Sequence, residues 1–146
     1  MIYLENVYHV INHTLDRYDE VWFITRDASE VQSFMDTHSK VVLHDELSPQ
    51  PDLFRQYREL AKAGKWDKTL FETFYIPRFL HDLSANQEGL ALLNELKTRG
   101  KEKDIALACF CEDESMCHRS IIGGILLNIG ANITCPVQYK KYTLIQ

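Results

Sequence analysis

The sequence predicts an α/β fold of three layers, in which a mainly parallel sheet is covered by helices. Two observations support this class. Short apolar segments rich in β-branched and aromatic residues alternate along the chain with amphipathic segments. The segment 104–111 is apolar at most positions, which is typical of a strand buried on both faces. A chain of 146 residues has the length of one domain.

The first half of the chain predicts two buried strands and one helix. Residues 2–11 are ambiguous, because they suit either a strand or a short helix. Residues 20–25 have the short, β-branched and aromatic character of a buried strand. Residues 30–38 follow with the apolar spacing of a helix, and residues 40–43 form a second buried strand.

Three helical stretches occupy the middle of the chain, at residues 52–63, 67–83 and 84–98. Prolines in the loop 48–52 separate them from the strand before. The second stretch contains Pro77, which should kink or interrupt the helix because proline lacks an amide hydrogen.

The last part predicts a strand at 104–111, a helix at 117–129, a short strand at 131–135 and a further strand within 137–146. Residues 120–139 carry no charge and approach the length of a membrane span. A helix ended by Gly130 and followed by a strand explains this segment better. Gly123 and Gly124 lie inside that helix, where close packing is the expected reason for them. The alternation of strands and helices is Rossmann-like.

Charge and cysteine content narrow the class of protein. The net charge of −5 excludes a globally basic nucleic-acid-binding protein, although a local basic surface stays compatible with it. Three of the four cysteines lie within nine residues, which indicates reduced thiols at one site rather than a disulfide scaffold. The first residues lack the features of a signal peptide. We therefore expect a cytoplasmic protein.

The segment 107–120 carries the most informative chemistry. Cys111 follows the predicted strand, and Cys117, His118 and Arg119 begin the following helix. Ligands of open α/β sheets bind at this edge. Two cationic side chains oppose the dipole at a helix start, at a cost of about 0.3–1 kcal/mol each. Either an anionic ligand or the acidic residues 112–114 offset that cost.

The thiols of this segment admit three interpretations. Cys117 at a helix start beside His118 and Arg119 is a candidate nucleophile. Cys111 and Cys117 are candidates for a reversible disulfide. Cys109, Cys111, Cys117 and His118 together offer ligands suited to zinc, although their spacing is irregular. Cys109 is also readily explained as a small core residue. We expect no cofactor, with zinc as the alternative.

The sequence resembles the family catalogued as domain of unknown function 488. The resemblance rests on Cys109-Phe110-Cys111 followed by Cys117-His118-Arg119 and an apolar helix. Weaker similarity covers residues 21–25, 62–66 and 92–96, and the whole extends over about residues 20 to 130. It implies a single α/β domain over residues 1–146, of the kind found in small intracellular bacterial or phage proteins. It also implies site status for the Cys-His-Arg triplet.

Other charged groups are further candidates for site residues. Arg26 follows a strand end and could face the same crevice as Arg119, and the two are candidate anion-binding residues. The segment 44–46 is a weaker acid/base candidate. Four basic residues share one helix face, which is either a phosphate-contacting or an ordinary solvated face: Arg55, Arg58, Lys62 and Lys65.

These patterns together predict a small enzyme acting on a phosphate-bearing substrate, with a nucleotide or a nucleic acid as candidates. Cys111, Cys117, His118 and Arg119 are the candidate catalytic residues. In this interpretation Arg119 holds the anion by a bidentate contact and His118 transfers a proton. The alternative is a non-enzymatic binding module with a structural Cys/His metal site or a thiol redox pair.

Overall fold

The computed structural model describes residues 1–134 and 140–144. Within them, four strands form one sheet in the order β1-β4-β2-β3, and all three pairs are parallel. The strands are β1 (Ile2–Asn6), β2 (Glu20–Phe23), β3 (Val41–Leu43) and β4 (Ile105–Cys109). This arrangement confirms the predicted α/β class.

Helices fill the connections between the strands. The segment after β1 begins as α1 (Val7–His9) and continues through π-helical and 3₁₀ turns to Arg17, so the ambiguous first segment is a strand followed by a helix. The remaining helices are α2 (Gln32–Thr37), α3 (Pro51–Lys62), α4 (Lys68–Leu70), α5 (Ile76–Ser84), α6 (Gln87–Arg99) and α7 (His118–Asn128). None of the helices within the described residues has the length and apolar character that a membrane crossing requires.

Alternating side chains of the strands pack into two separate apolar cores, one on each face of the sheet. Along β4, Ile105, Leu107 and Cys109 join a core shared with α3, α5, α6 and α7. Ala106 and Ala108 point to a second core shared with α1 and α2. Successive strand residues face opposite sides, so the uniformly apolar β4 is what a strand covered on both faces requires, and the fold has three layers.

Several element boundaries differ from the sequence prediction. Pro77 lies in the first turn of α5, where a missing amide hydrogen costs little, and a π-helical segment (Phe71–Tyr75) precedes it. Ser84 ends α5 rather than starting α6. Of the predicted strand 131–135, Ile133 makes one parallel bridge to Ile2. Of the predicted strand within 137–146, the described residues 140–144 form no strand, and residues 137–139 and 145–146, like residue 135, lie outside the described residues.

The parallel arrangement brings the carboxyl ends of the strands to one edge. Asn6 at the end of β1 is paired with Cys109 at the end of β4, and Phe23 of β2 is paired with Ala108. The turn from β4 to α7 leaves the sheet at this edge. Residues that follow β2 and β4 therefore face the first turn of α7, although they are far apart in sequence.

Candidate functional site

The first turn of α7 gathers a cluster of thiols at the carboxyl edge of the sheet. The sulfur atoms of Cys109 and Cys117 are 2.9 Å apart, and both residues are buried as free thiols. One ligand atom from each of Cys109, Cys111, Cys117 and His118 lies within 4.8 Å of all the others. Cys111 is half-buried. The cluster thus unites residues that the sequence predicted as alternative nucleophiles, redox partners and metal ligands.

The backbone directly after β2 determines how His118 is oriented. The ring is 5% exposed, and its Nε2 contacts the carbonyl oxygen of Ile24. A carbonyl oxygen only accepts hydrogen bonds, so Nε2 carries the hydrogen. The other ring nitrogen, Nδ1, lies 3.6 Å from the sulfur of Cys117. In the neutral ring Nδ1 is therefore the acceptor that faces the thiol, which is the arrangement of a thiol–imidazole pair.

Arg119 also contacts the cluster. Its side chain is 4% exposed, and Nη2 donates a hydrogen bond of 2.7 Å to the carbonyl oxygen of Cys111. Its Nε is buried without a hydrogen-bond partner among the described residues. Burial tends to lower the pKa of this guanidinium, but the thiols of Cys109 and Cys117 and the carboxyl of Glu114 raise it, so Arg119 remains charged.

The pKa values of the two buried thiols are shifted in opposite directions. Burial raises the pKa of Cys109 well above its ordinary value, and hydrogen bonds to its neighbouring thiols act in the same direction. Burial also opposes ionisation of Cys117, but hydrogen bonds from the thiols of Cys109 and Cys111 and the charge of Arg119 outweigh it and lower its pKa well below the ordinary value. Cys117 also forms the N-cap of α7, where the helix dipole favours an anion. The pair is best described as a Cys109 thiol that donates to a Cys117 thiolate.

The thiol cluster forms the floor of a small aromatic cavity of about 210 Å³. Its walls come from the residue pairs after β2 and β4, from α3 and from the segment before α5. The lining residues are Thr25, Arg26, Pro49, Phe54, Tyr57, Tyr75, Cys109, Phe110, Cys111, Met116, Cys117 and His118. Arg26 is the one arginine among these described residues, and its guanidinium donates to the Pro49 and Asp45 carbonyl oxygens and pairs with the Asp45 carboxylate at 3.4 Å.

The two candidate anion-binding residues therefore lie in different places. Arg26 borders the cavity, whereas Arg119 is absent from the described residues that line it. Neighbouring residues on an α-helix project about 100° apart, and here His118 lines the cavity whereas the guanidinium of Arg119 donates to the Cys111 carbonyl oxygen. A bidentate contact from Arg119 to a ligand stays a prediction, because its Nη2 is already donated to Cys111.

Two contributors to this site were not found from the sequence. The amide of Asn6 donates hydrogen bonds of 3.3 Å to the carbonyl oxygens of both Phe110 and Cys111, which fixes the turn after β4. The Ile24 carbonyl orients His118. Asn6 carried a weak signal, since an asparagine at a strand-to-helix boundary is a frequent N-cap and it does cap α1. A backbone carbonyl leaves no mark in a sequence.

The segment 44–46 does not join the thiol cluster. The ring of His44 contacts that of Trp22 at a tilt of 40°, with ring centroids 4.1 Å apart, and burial lowers the pKa of His44. Asp45 pairs with Arg26, while Glu46 lies 3.9 Å from His44. Asp45 and Glu46 line a separate polar depression together with Arg26, so they are neighbours of the cavity rather than part of its floor.

The four clustered side chains could hold a metal ion. Three sulfurs and one imidazole nitrogen form a donor set that zinc accepts in tetrahedral geometry. The hydrogen bond from His118 Nε2 to a backbone carbonyl is the outer contact that metal-binding histidines usually make. Zinc–sulfur bonds of about 2.3 Å place two sulfurs about 3.8 Å apart. The sulfurs of Cys109 and Cys117 would then have to separate by about 0.9 Å from their 2.9 Å contact.

The fold and the site define a class of small α/β proteins with a thiol–imidazole site where a central parallel strand leads into a helix. The family model described as the active DUF488-N3 subclade matches residues 7–130 of this chain. The chain belongs to this family, and the resemblance drawn from the Cys-x-Cys and Cys-His-Arg motifs is thereby confirmed. No curated protein and no solved structure matches the chain.

Proposed function

We propose that this protein is an enzyme that acts on a phosphate-bearing substrate, a nucleotide or a nucleic acid, through Cys117, His118 and Arg119. The observation that carries the proposal is the contact of 3.6 Å between Cys117 Sγ and His118 Nδ1 on the floor of the aromatic cavity. Membership of a subclade described as active is consistent with it.

Cys117 is the nucleophile in this proposal. In the proposal the thiol proton already lies on His118 Nδ1 when the substrate binds, and the Cys117 thiolate forms a bond to an electrophilic centre of the substrate while the bond to the leaving group breaks. The leaving group takes the proton back from His118, so that the charge balances. The Ile24 carbonyl stabilises the charged imidazole that exists between these steps. Cys111, half-buried beside Cys117, is the polar wall or the second candidate nucleophile.

The two arginines have different roles. Arg26 borders the cavity and is proposed to bind the substrate's anionic group in exchange for its contact with the Asp45 carboxylate, which is half-exposed. Arg119 is proposed to act through Cys117, because its buried charge favours the thiolate. The aromatic side chains of Phe54, Tyr57 and Tyr75 provide flat apolar walls for a planar group of the substrate.

Ligand protection tests the proposal. The rate at which iodoacetamide alkylates Cys117 is measured by mass spectrometry at pH 7, with and without adenosine monophosphate. We expect saturating nucleotide to slow alkylation at least threefold, and Arg26→Ala to remove the protection without lowering the melting temperature appreciably. Arg17→Ala removes an exposed arginine elsewhere and serves as the matched control. Equal protection in the Arg26 and Arg17 variants would refute the assignment of Arg26.

A second candidate is a non-enzymatic binding module, and the four-ligand cluster is the observation that favours it. In that case zinc is structural, and the protein purified without chelator contains about one zinc per chain by elemental analysis. Removal of the metal then lowers the melting temperature, and His118→Ala lowers the zinc content. A zinc content near zero, with full stability after chelation, argues against this candidate.

A thiol redox pair is a third candidate, and the contact between Cys109 and Cys117 is the geometry that favours it over the predicted Cys111–Cys117 pair. Mild oxidation would then link the peptides that contain Cys109 and Cys117, with a combined mass two hydrogens lower than that of the separate peptides. This linked species would be lost in Cys109→Ala. Three free cysteines in the described residues also support a reducing compartment, and we propose that the protein functions in the cytoplasm.

A further inference from the structure

The exposed face of α3 carries an excess of positive charge on a chain whose net charge is −5. Arg55, Arg58 and Lys62 lie on this face, and Lys65 follows after the helix ends. Arg55 is paired with Asp52. Arg58, Lys62 and Lys65 form no ion pair within 4.0 Å among the described residues. Arg58 and Lys62 line one depression, in which Glu59 is the acidic residue, and the charge of Arg58 also lowers the pKa of Asp27. Three cations therefore stay available to a partner.

This basic face adjoins the thiol cavity directly. A shallow depression of about 620 Å³ runs along α3, and its wall contains Phe54 and Tyr57, which also line the cavity. The guanidinium of Arg58 lies over the Phe54 ring, 5.4 Å from its centroid. The same two aromatic side chains thus have the basic depression on one side and the thiol floor on the other.

The sizes of the two spaces indicate how a ligand would divide between them. Pockets for drug-sized ligands measure roughly 300–1,000 Å³, and the cavity of about 210 Å³ is smaller. It accommodates one planar ring system, and a phosphate attached to that ring would remain outside. Arg58 and Lys62 are four residues apart, which separates them by about 6 Å along the helix axis. A row of cations suits several phosphates in succession better than a single one.

We infer that α3 is the binding surface for a single strand of nucleic acid, whose phosphates contact Arg58, Lys62 and Lys65 while one base enters the aromatic cavity. The inference rests on the proposed function, because it names the substrate that reaches Cys117. A base must leave its stack to reach a site of this kind, which favours a single strand over a duplex. Stacking on Phe54 and Tyr57 suits any base, so sequence preference is expected to be weak.

Salt dependence of binding provides the test. Binding of a fluorescent twelve-nucleotide oligodeoxythymidylate to the whole protein is measured by anisotropy between 50 and 200 mM salt. Three phosphate contacts to a single strand give a slope of log K against log salt of about −2, a loss of affinity of about 18-fold over this range. Arg58→Ala combined with Lys62→Ala leaves one contact, so the loss falls to about threefold.

Matched variants separate this surface from general charge effects. Arg17→Ala combined with Lys101→Ala removes the same two charges from exposed positions that precede β2 and β4, at the opposite edge of the sheet. This variant should retain the slope of about −2. Phe54→Leu should weaken binding about tenfold at every salt concentration without changing the slope, since it removes one stacked base.

The outcomes distinguish this inference from the thiol chemistry on which it rests. Absence of binding at 50 mM salt, or equal slopes for the Arg58/Lys62 and Arg17/Lys101 variants, overturns the inference even where Cys117 is rapidly alkylated. Equal affinity for a duplex, with no effect of Phe54→Leu, overturns the entry of a base. Failure of the proposed function would appear instead as slow alkylation of Cys117, measured on the same preparation.

Discussion

The ionisation of Cys117 leads to the most informative prediction, because the pH profile of its alkylation distinguishes a thiolate from an ordinary thiol. A thiol with a pKa of about 8.5 is about 3% ionised at pH 7 and mostly ionised at pH 9, so its rate rises about 25-fold between these values. The pKa of Cys117 lies well below the ordinary value because its neighbouring thiols and Arg119 outweigh burial. Its rate should rise less than about threefold.

The absolute rate is a weaker indicator than the profile. Full ionisation at pH 7 increases the rate at most about 30-fold over an ordinary thiol. Nucleophilicity falls with pKa, by about threefold for each unit at a Brønsted coefficient of 0.4–0.5. The two effects partly cancel, and the slow access of reagent to a residue that is 1% exposed lowers the rate further. The shape of the profile is independent of access.

Arg119→Met is the perturbation that tests the cause. Methionine keeps part of the buried side-chain volume but removes the charge and the hydrogen bond to the Cys111 carbonyl. The pKa of Cys117 should rise, and the dependence on pH should return toward 25-fold, whereas Arg119→Lys should preserve most of the flat profile. Arg17→Met controls for the loss of an exposed arginine.

The assay uses chelator-treated protein, iodoacetamide and mass spectrometry. Proteolysis after Glu114 separates Cys117 from Cys109 and Cys111, and fragment ions distinguish it from Cys135. A wild-type profile that rises 25-fold would show that Cys117 is an ordinary thiol. A flat profile that survives Arg119→Met would show that the guanidinium is not responsible.

Three further predictions concern stability. A Cβ atom at Gly124 would lie 2.0 Å from the Lys140 carbonyl oxygen, so Gly124→Ala should displace residues 140–144 by at least 1.4 Å. Hydrogen exchange should then show loss of protection at the Tyr142 amide, which donates to the Gly124 carbonyl oxygen. Unchanged protection would contradict this packing. Burial lowers the pKa of His44, so below about pH 6.5 the unfolded chain binds more protons than the folded protein, which should lose stability as the pH falls from 7 to 5. In chemical denaturation, His44→Phe should reduce this dependence of the unfolding free energy on pH. The same dependence in His44→Phe and in the wild type would exclude His44 as its source. Leu107→Ala should lower the free energy of unfolding by about 2–5 kcal/mol, or the melting temperature by roughly 10 °C, because the side chain is fully buried in the central strand. A decrease below about 1 kcal/mol would contradict that burial.

Local patterns were sufficient for most secondary structure. β4 was predicted because apolar residues at every position leave no face for water, and the structure buries all five of its residues. α7 was predicted over 117–129 and found over His118–Asn128, with Cys117 as the cap. The predicted close packing at Gly124 was confirmed. The ends of β4 and the start of α6 were less accurate, because hydrogen bonding to neighbouring elements determines where a segment stops.

The site was predicted in part. The clustering of three cysteines and a histidine within ten residues indicated their convergence, since a strand, a tight turn and a helix start cannot separate them widely. Arg119 is absent from the described residues that line the cavity, and its guanidinium donates instead to the Cys111 carbonyl oxygen. The sequence motif Cys-His-Arg does not express this difference, because it names neighbours along the chain and not directions in space.

The sequence by itself determined the α/β class, the two-sided burial of β4 and the position of the Cys-His-Arg segment at a strand-to-helix turn, because each depends on residues that are close in the chain. Only the tertiary structure decided what surrounds that segment. Parallel pairing of β2 with β4 placed the Ile24 carbonyl on His118, and packing of α3 against the same edge brought Phe54 and Tyr57 over the thiols. These contacts join residues that are 52 to 94 positions apart, and their geometry depends on strand order and helix packing, which no local pattern records.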